Sequence, residues 1–179
     1  YRLDIRTVTM GISLIGCTRS TMAATAQAVY DRVTERAANL VTVCEGIERE
    51  LGIPIVNKRI SVSPVALVAA GVDGNPVDIA RALDRAAAEL GVNFVGGYSA
   101  LVEKGGTTAD KRLIYSIPEA LSETDNVCSS VNVASSRAGI NMNAVAKMGE
   151  IVKEAAELTA DRSSIACAKL VVFANAVGD

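Results

Sequence analysis

The stretch TDNVCSSVNVASSRAGINMNAVAKM gathers a thiol, hydroxyls and carboxamides where one structural element gives way to another. Cys128, Ser129, Ser130 and Asn132 lie in a run that alternates apolar and small polar residues; Gly139 breaks the run, and Asn141 opens an apolar pattern of helical period. In a strand, alternation sends Ser129 and Val131 to one face and Cys128, Ser130 and Asn132 to the other. A thiolate at a helix N-terminus is an activated nucleophile. The chain has no His to serve as its base, so activation of Cys128 would fall to Lys, Arg or backbone dipoles, and the plainer reading is a small buried hydrophobe. Asn141 has the type and place of a helix N-cap. Ser129 and Asn132 call for a further reason, because a buried strand carries few polar groups without partners. Ser130 and Asn132 are preferred to Cys128 as groups that position a ligand. The SSRAG turn could receive an anion on free amides, although the chain has no glycine-rich phosphate motif.

Polar groups recur at comparable places elsewhere. One apolar run carries Asn57, Lys58 and Arg59, followed by Ser61 and Ser63; another contains Gly96, Gly97, Tyr98 and Ser99; the last ends at Asn175. A cation at Lys58 or Arg59 would hold a carboxylate or phosphate, Arg in bidentate fashion. Successive strand side chains point to opposite faces, so only one of the two can point inward; the alternative is that both are solvated or ion-paired. Asp4, Glu103, Asp110, Asp125 and Glu150 fall near element ends, and nothing in the pattern singles out an acid and base pair.

These residues need elements to position them. LDIRTVTMGISLI reads as a first strand bounded by Gly16. From Thr18 an apolar residue recurs every three or four positions as far as Leu51, which predicts one long helix stopped by Gly52. Pro54 to Val62 is a second strand, followed by the short apolar PVALVAAG. Asn75 and Pro76 offer an N-cap and a first-turn proline to a helix that Gly91 ends. ERELGIPIVNKRISV and AAELGVNFVGGYSAL echo one another as a repeated αβ unit. TTADKRLIYSIPEALSET is predicted to be helical but broken by Pro118. NVCSSVNVA is a fourth strand, Asn141 to Ala160 an amphipathic helix, and AKLVVFANAV a fifth strand. Strands separated by helices pair mostly in parallel, which makes the fold class α/β, and ligands in such folds gather beyond the carboxyl ends of the strands.

Composition narrows the possibilities. The chain has 179 residues, half of them apolar, with 3% aromatics and no Trp. That suits a single α/β domain over 1–179 whose core is built of small and branched side chains. Eighteen basic and twenty acidic residues leave a formal charge of −2 without a basic block, so nucleic acid is not an expected partner. Cys17, Cys44, Cys128 and Cys167 are scattered and show no paired spacing, which suggests neither a zinc site nor a disulfide framework and predicts a reduced, cytoplasmic setting. No leader and no apolar run of about 18 residues is present, so no membrane is expected. Tyr1 and Asp179 both read as cuts in a longer chain.

Taken together, DIRTVTMGISL, ELGIPIVNKRISVSPVALV, ALDRAAAELGVNFVGGYSALVEKG, SIPEALSETDNVCSSVNVASSRAGINMNAVAKMGEIVKEAAELT and AKLVVFANAV resemble the N-terminal part of the UPF0210 family, also called DUF711, in order and over essentially the whole chain. Members continue into a Gly-rich second half. The family is uncharacterised, so the resemblance implies a fold more than a reaction: the ten-stranded α/β barrel of the pyruvate formate-lyase-like glycyl radical enzymes, of which this chain would supply about half. Those enzymes carry a radical glycine in an Arg-Val-x-Gly-Tyr loop. Here Val95, Gly97 and Tyr98 match, but Phe94 replaces the Arg and the segment sits at an early strand end, which speaks against radical chemistry. The resemblance agrees with a homodimer, for which Ala-rich helix faces such as RALDRAAAEL would permit close packing.

Two functions follow from these observations. The first is an enzyme, or former enzyme, acting on a small polar or anionic metabolite at the strand ends. The second is a non-catalytic metabolite-binding or regulatory protein using the same pocket, favoured by the missing His. No particular cofactor is implied.

Overall fold

The computed structural model describes residues 5–174. Five strands rich in Val, Ile and Thr pair side by side in chain order: β1 (Ile5–Ile12), β2 (Ile55–Val62), β3 (Phe94–Leu101), β4 (Val127–Asn132) and, beyond the two-residue β5 (Ala134–Ser135) and β6 (Gly139–Ile140), β7 (Leu170–Phe173). Every pairing in this sheet is parallel. Parallel neighbours in chain order need crossovers, and right-handed crossovers that always step the same way put every helix on one face.

That layer consists of α1 (Met22–Ala37), α2 (Leu40–Leu51), α3 (Val65–Ala69), α4 (Val77–Leu90), α5 (Thr108–Glu123), α6 (Met142–Leu158) and α7 (Ile165–Ala168). Its buried side is continuous with one side of each strand: Ile12, Ile60, Val62, Val95, Tyr98, Ala100, Val127 and Val131 join Val29, Val33, Ala80, Leu83, Leu113, Ile117 and Ile151 in one core. The other side of the sheet has no such cover. Thr9, Gly11 and Ser61 there are exposed, and Gly96, Cys128 and Ser130 are half-buried.

Local chemistry sets the helix ends. Thr21 Oγ1 accepts from the Ala24 amide ahead of α1, and Thr107 and Asp110 form a reciprocal capping box at α5. Gly52 and Gly91 take left-handed conformations at φ 66° and 68°, so the sequence echo marks two helices that end alike and feed parallel neighbours β2 and β3.

Three expectations are corrected. The helix read from Thr18 to Leu51 is two helices broken at Ala38 and Asn39. A single rod of that span would run about 50 Å against strands of about 26 Å, so the chain turns once α1 has covered the sheet. Pro118 does not break α5, which is continuous through it. The proline removes one backbone bond, while Leu113, Ile117, Ala120 and Leu121 bury the helix on both sides of it. Four of the five alanines of α4, read as a docking face for a second copy, are buried inside the chain: Ala80, Ala82, Ala86 and Ala87 are fully covered, and Ala88 alone of the five is exposed. Among the described residues, no helix is long and apolar enough to cross a membrane.

Candidate functional site

Register decides which polar residues share a face. Pairing of Thr9 with Arg59, Gly11 with Ser61, Ser61 with Gly96 and Gly96 with Cys128 lays these residues in one band across the uncovered side of the sheet. Thr9, Arg59, Ser61, Gly96 and Cys128, with Phe94, Lys169 and Val171, line a concavity of about 410 Å³. Residues from all five strands therefore converge, although Thr9 and Cys128 are far apart in sequence.

Arg59 dominates its electrostatics. The guanidinium lies over the Phe94 ring at 5.2 Å, a cation–π contact. Its Nε is buried without an acceptor, and among the described residues the side chain makes no hydrogen bond or ion pair. A guanidinium whose donors are not taken up by the protein is able to receive an oxyanion in bidentate fashion. The side chains of Thr9, Ser61 and Ser130 likewise make no hydrogen bond among the described residues, which leaves their hydroxyls for a ligand.

Cys128 is shaped differently. Burial raises its pKa, and the nearby cations Lys169 and Arg59 oppose that rise only in part. The group is therefore a thiol that lines the concavity, and the nucleophile reading gains no support. Lys169, 7% exposed, donates from Nζ to the carbonyls of Leu121 and Thr124. It thereby closes the C-terminal end of α5 while its own pKa is lowered, chiefly by burial.

The remaining sequence candidates separate by face. Lys58 turns to the helix layer, where Nζ meets Glu48 Oε2 at 3.1 Å; Glu48 also accepts from the Ile55 amide, and these contacts hold its carboxyl below its ordinary pKa, the Ile55 bond foremost. Ser129, on the covered face as alternation predicts, donates to the Tyr98 carbonyl at 2.7 Å. Ser63 accepts from the Leu14 amide at 3.2 Å. Asn57 donates to the Arg6 carbonyl at 3.0 Å at the amino end of the sheet, and Ser99 bonds back to the Gly97 carbonyl at 3.2 Å. Asn132 donates to Glu103 Oε2 at 3.1 Å beyond the carboxyl end of β4, so it does not share the surroundings of Cys128. Asn141 caps α6 through Ala144 and also donates to the Val102 carbonyl at 2.8 Å. Asn175 and Asp4 lie outside the described residues.

The adjacent glycines do unlike jobs. Gly97 sits at φ +119° in a register shift between β3 and β4, and a Cβ there would meet the Val62 carbonyl oxygen at 2.5 Å. Gly96 has nothing within 4 Å of a built Cβ; it keeps the floor of the concavity low. The SSRAG turn does not stand open for an anion: Ser135 Oγ accepts from the Ala138 amide, and β5 pairs with β6. Among the acidic residues, Asp110 completes the α5 capping box, Glu150 pairs with Lys147, and the Asp125 amide is held by Asp84.

Sequence reasoning missed Thr9, Phe94 and Lys169. Thr9 and Arg59 both alternate with apolar neighbours in runs already read as strands, so the parallel register was the missing link. Lys169 carries no local signal, because its partners lie on α5 and the turn that follows it.

Comparison with known proteins places the chain. A family model described as "Uncharacterised ACR (DUF711)" matches residues 1–179. The chain is similar to a UPF0210 protein of Corynebacterium glutamicum, 79% identical over 179 residues and covering 39% of that protein. A UPF0210 protein of Pelotomaculum thermopropionicum is 64% identical over 178 residues, with 39% of its length covered, and one of Listeria monocytogenes is 58% identical with 40% covered. The chain thus spans about two-fifths of the length of these relatives. With a match over its full length and relatives at these identities, the chain belongs to the DUF711 (UPF0210) family.

Proposed function

We propose that the uncovered face of the sheet is the binding surface for a small anionic metabolite in the full-length protein, with Arg59 as its anion receptor. The observation that carries this reading is an Arg59 guanidinium without a hydrogen-bond or ion-pair partner among the described residues, in a concavity lined by the Thr9 and Ser61 hydroxyls. Phe94 holds the cation in place and leaves its donors free. Thr9 and Ser61 would take further ligand oxygens. Among the described residues the concavity is lined by no carboxylate or imidazole to move a proton, and burial raises the Cys128 pKa. These residues therefore supply binding, and any groups that perform a reaction come from the part of the protein outside this chain. In this reading the sheet is about half of a barrel, and its uncovered face becomes the interior.

The test uses the full-length protein in thermal-shift measurements with inorganic phosphate and a panel of short carboxylates, followed by mass spectrometry for turnover. At least one anion should raise Tm, and Arg59→Ala should abolish that rise while Ser63→Ala keeps it. Equal shifts for wild type and Arg59→Ala, or no shift with any anion, would overturn the assignment. Stabilisation without product marks a binding or regulatory protein; product marks an enzyme.

A further inference from the structure

A second cavity, of about 560 Å³, opens beyond the carboxyl end of β3 between the first turns of α5 and α6, a size typical of small-molecule sites. Its wall is apolar where Val102, Ile114 and Ala144 meet the Tyr115 ring. Its charged groups come from three elements: Glu103 from the loop after β3, Lys111 from α5 and Lys147 from α6.

Glu103 is a positioned carboxylate. Asn132 donates to its Oε2 at 3.1 Å. Asn132 is 9% exposed, and its own Oδ1 is buried without a partner. A buried carboxamide with an unsatisfied oxygen is destabilising, and the only interaction its side chain makes among the described residues is the one that orients Glu103. On the same cavity the Lys111 ammonium makes no ion pair or side-chain hydrogen bond among the described residues. Lys147 lies over the Tyr115 ring at 4.9 Å and pairs with Glu150 on its own helix. The cavity therefore holds a fixed carboxylate and a free ammonium that do not neutralise each other, above an apolar wall.

That is the complement of a zwitterion with an apolar body. We propose that this cavity binds a free α-amino acid with an apolar side chain. Its ammonium meets Glu103, its carboxylate meets Lys111, and its side chain rests on Ile114 and Tyr115. The site shares no residue with the concavity around Arg59 and does not depend on it.

Calorimetric titration of the full-length protein, in wild type and in an Arg59→Ala background, compares L-leucine with 4-methylpentanoate, which lacks the ammonium, and 3-methylbutylamine, which lacks the carboxylate. Leucine should bind saturably in both backgrounds, with each analogue weaker by about tenfold or more, the scale of one hydrogen bond to a charged group. Glu103→Gln keeps an acceptor for Asn132 but removes the charge; it should weaken leucine about tenfold and leave 4-methylpentanoate unchanged. Lys111→Met, at an exposed position, should weaken leucine and leave the amine unchanged. Leucine binding that disappears with Arg59→Ala, equal binding of leucine and 4-methylpentanoate, or no binding of leucine at all would overturn the proposal. The analogue comparison stands even if a variant fails to fold.

Discussion

The two faces of the same five strands hold their polar residues differently near the middle of the sheet, although Asn57, Ser99 and Asn132 at the ends of the uncovered face are bonded. On the covered face the buried and half-buried polar side chains are tied down: Ser129 donates to the Tyr98 carbonyl, the Tyr98 hydroxyl meets Ser116 Oγ at 2.6 Å, and Lys58 meets Glu48. On the uncovered face Thr9, Arg59, Ser61 and Ser130 have no hydrogen-bond partner among the described residues. Burial explains the difference. Under the helices an unpaired hydroxyl would lose its hydration and gain nothing, so only satisfied groups persist there. On the open face water or a ligand can complete them. A polar residue in a strand thus signals a binding site only after its face is known.

The sharpest way to break this comparison is at the neighbouring glycines. Gly97→Ala places a methyl 2.5 Å from the Val62 carbonyl oxygen at a φ of +119°. It should destabilise the protein by about 3 kcal/mol or more, read as a large drop in Tm. Gly96→Ala should change stability by less than about 1 kcal/mol and weaken anion binding instead, because its Cβ enters open space above the concavity. Equal losses for both would mean that the bulge does not separate the two roles.

Next in size is the buried hydroxyl pair. Tyr98→Phe leaves Ser116 without that partner and should cost about 1–2 kcal/mol. It should also change the response to alkali. Burial holds the Tyr98 pKa far above its ordinary value of 10.0, so above about pH 10 the unfolded chain releases a proton that the folded chain retains. This part of the stability is complete below the unfolded pKa and is lost progressively as pH rises from there toward the folded pKa. The wild type should therefore lose Tm more steeply than Tyr98→Phe between about pH 10 and 11. Parallel curves would refute the assignment.

A smaller contrast lies between adjacent serines. Ser129→Ala removes a buried bond and should destabilise by about 1 kcal/mol, whereas Ser130→Ala should fall within about 0.5 kcal/mol of wild type. If Ser130→Ala proves the more damaging, the alternation of β4 has been read on the wrong faces.

The smallest effect on stability, and the most informative, is expected from Arg59→Met. Because the guanidinium is partly desolvated without an anion, its removal should leave Tm unchanged or slightly raised while anion binding is lost. A marked fall in Tm would make Arg59 a structural cation.

Much of the fold was legible locally. Gly52 and Gly91 as helix stops, Asn141 as a cap and the alternation in Val127 to Asn132 all depend on neighbours a few residues away, and each has the expected geometry. The break at Ala38 and Asn39 was not legible, because the apolar spacing runs through it unchanged; what turns the chain there is the length of the sheet. Continuity through Pro118 was hidden for the same kind of reason, since it rests on burial against other elements. For the site, sequence marked Arg59, Ser61, Gly96 and Cys128 singly. It offered no means of separating them from Lys58 and Ser129, or of adding Thr9 and Lys169.

By itself, then, the sequence determined the fold class, the order of strands and helices, most helix ends and the family, because propensity, capping and alternation act over a few residues. Only the tertiary structure decided which side of each strand is covered, which polar groups are satisfied, and that Arg59, beside Thr9, Ser61 and Cys128, has no hydrogen-bond or ion-pair partner among the described residues. Those outcomes depend on parallel register and on the handedness of successive crossovers, which bring together residues that no local pattern connects.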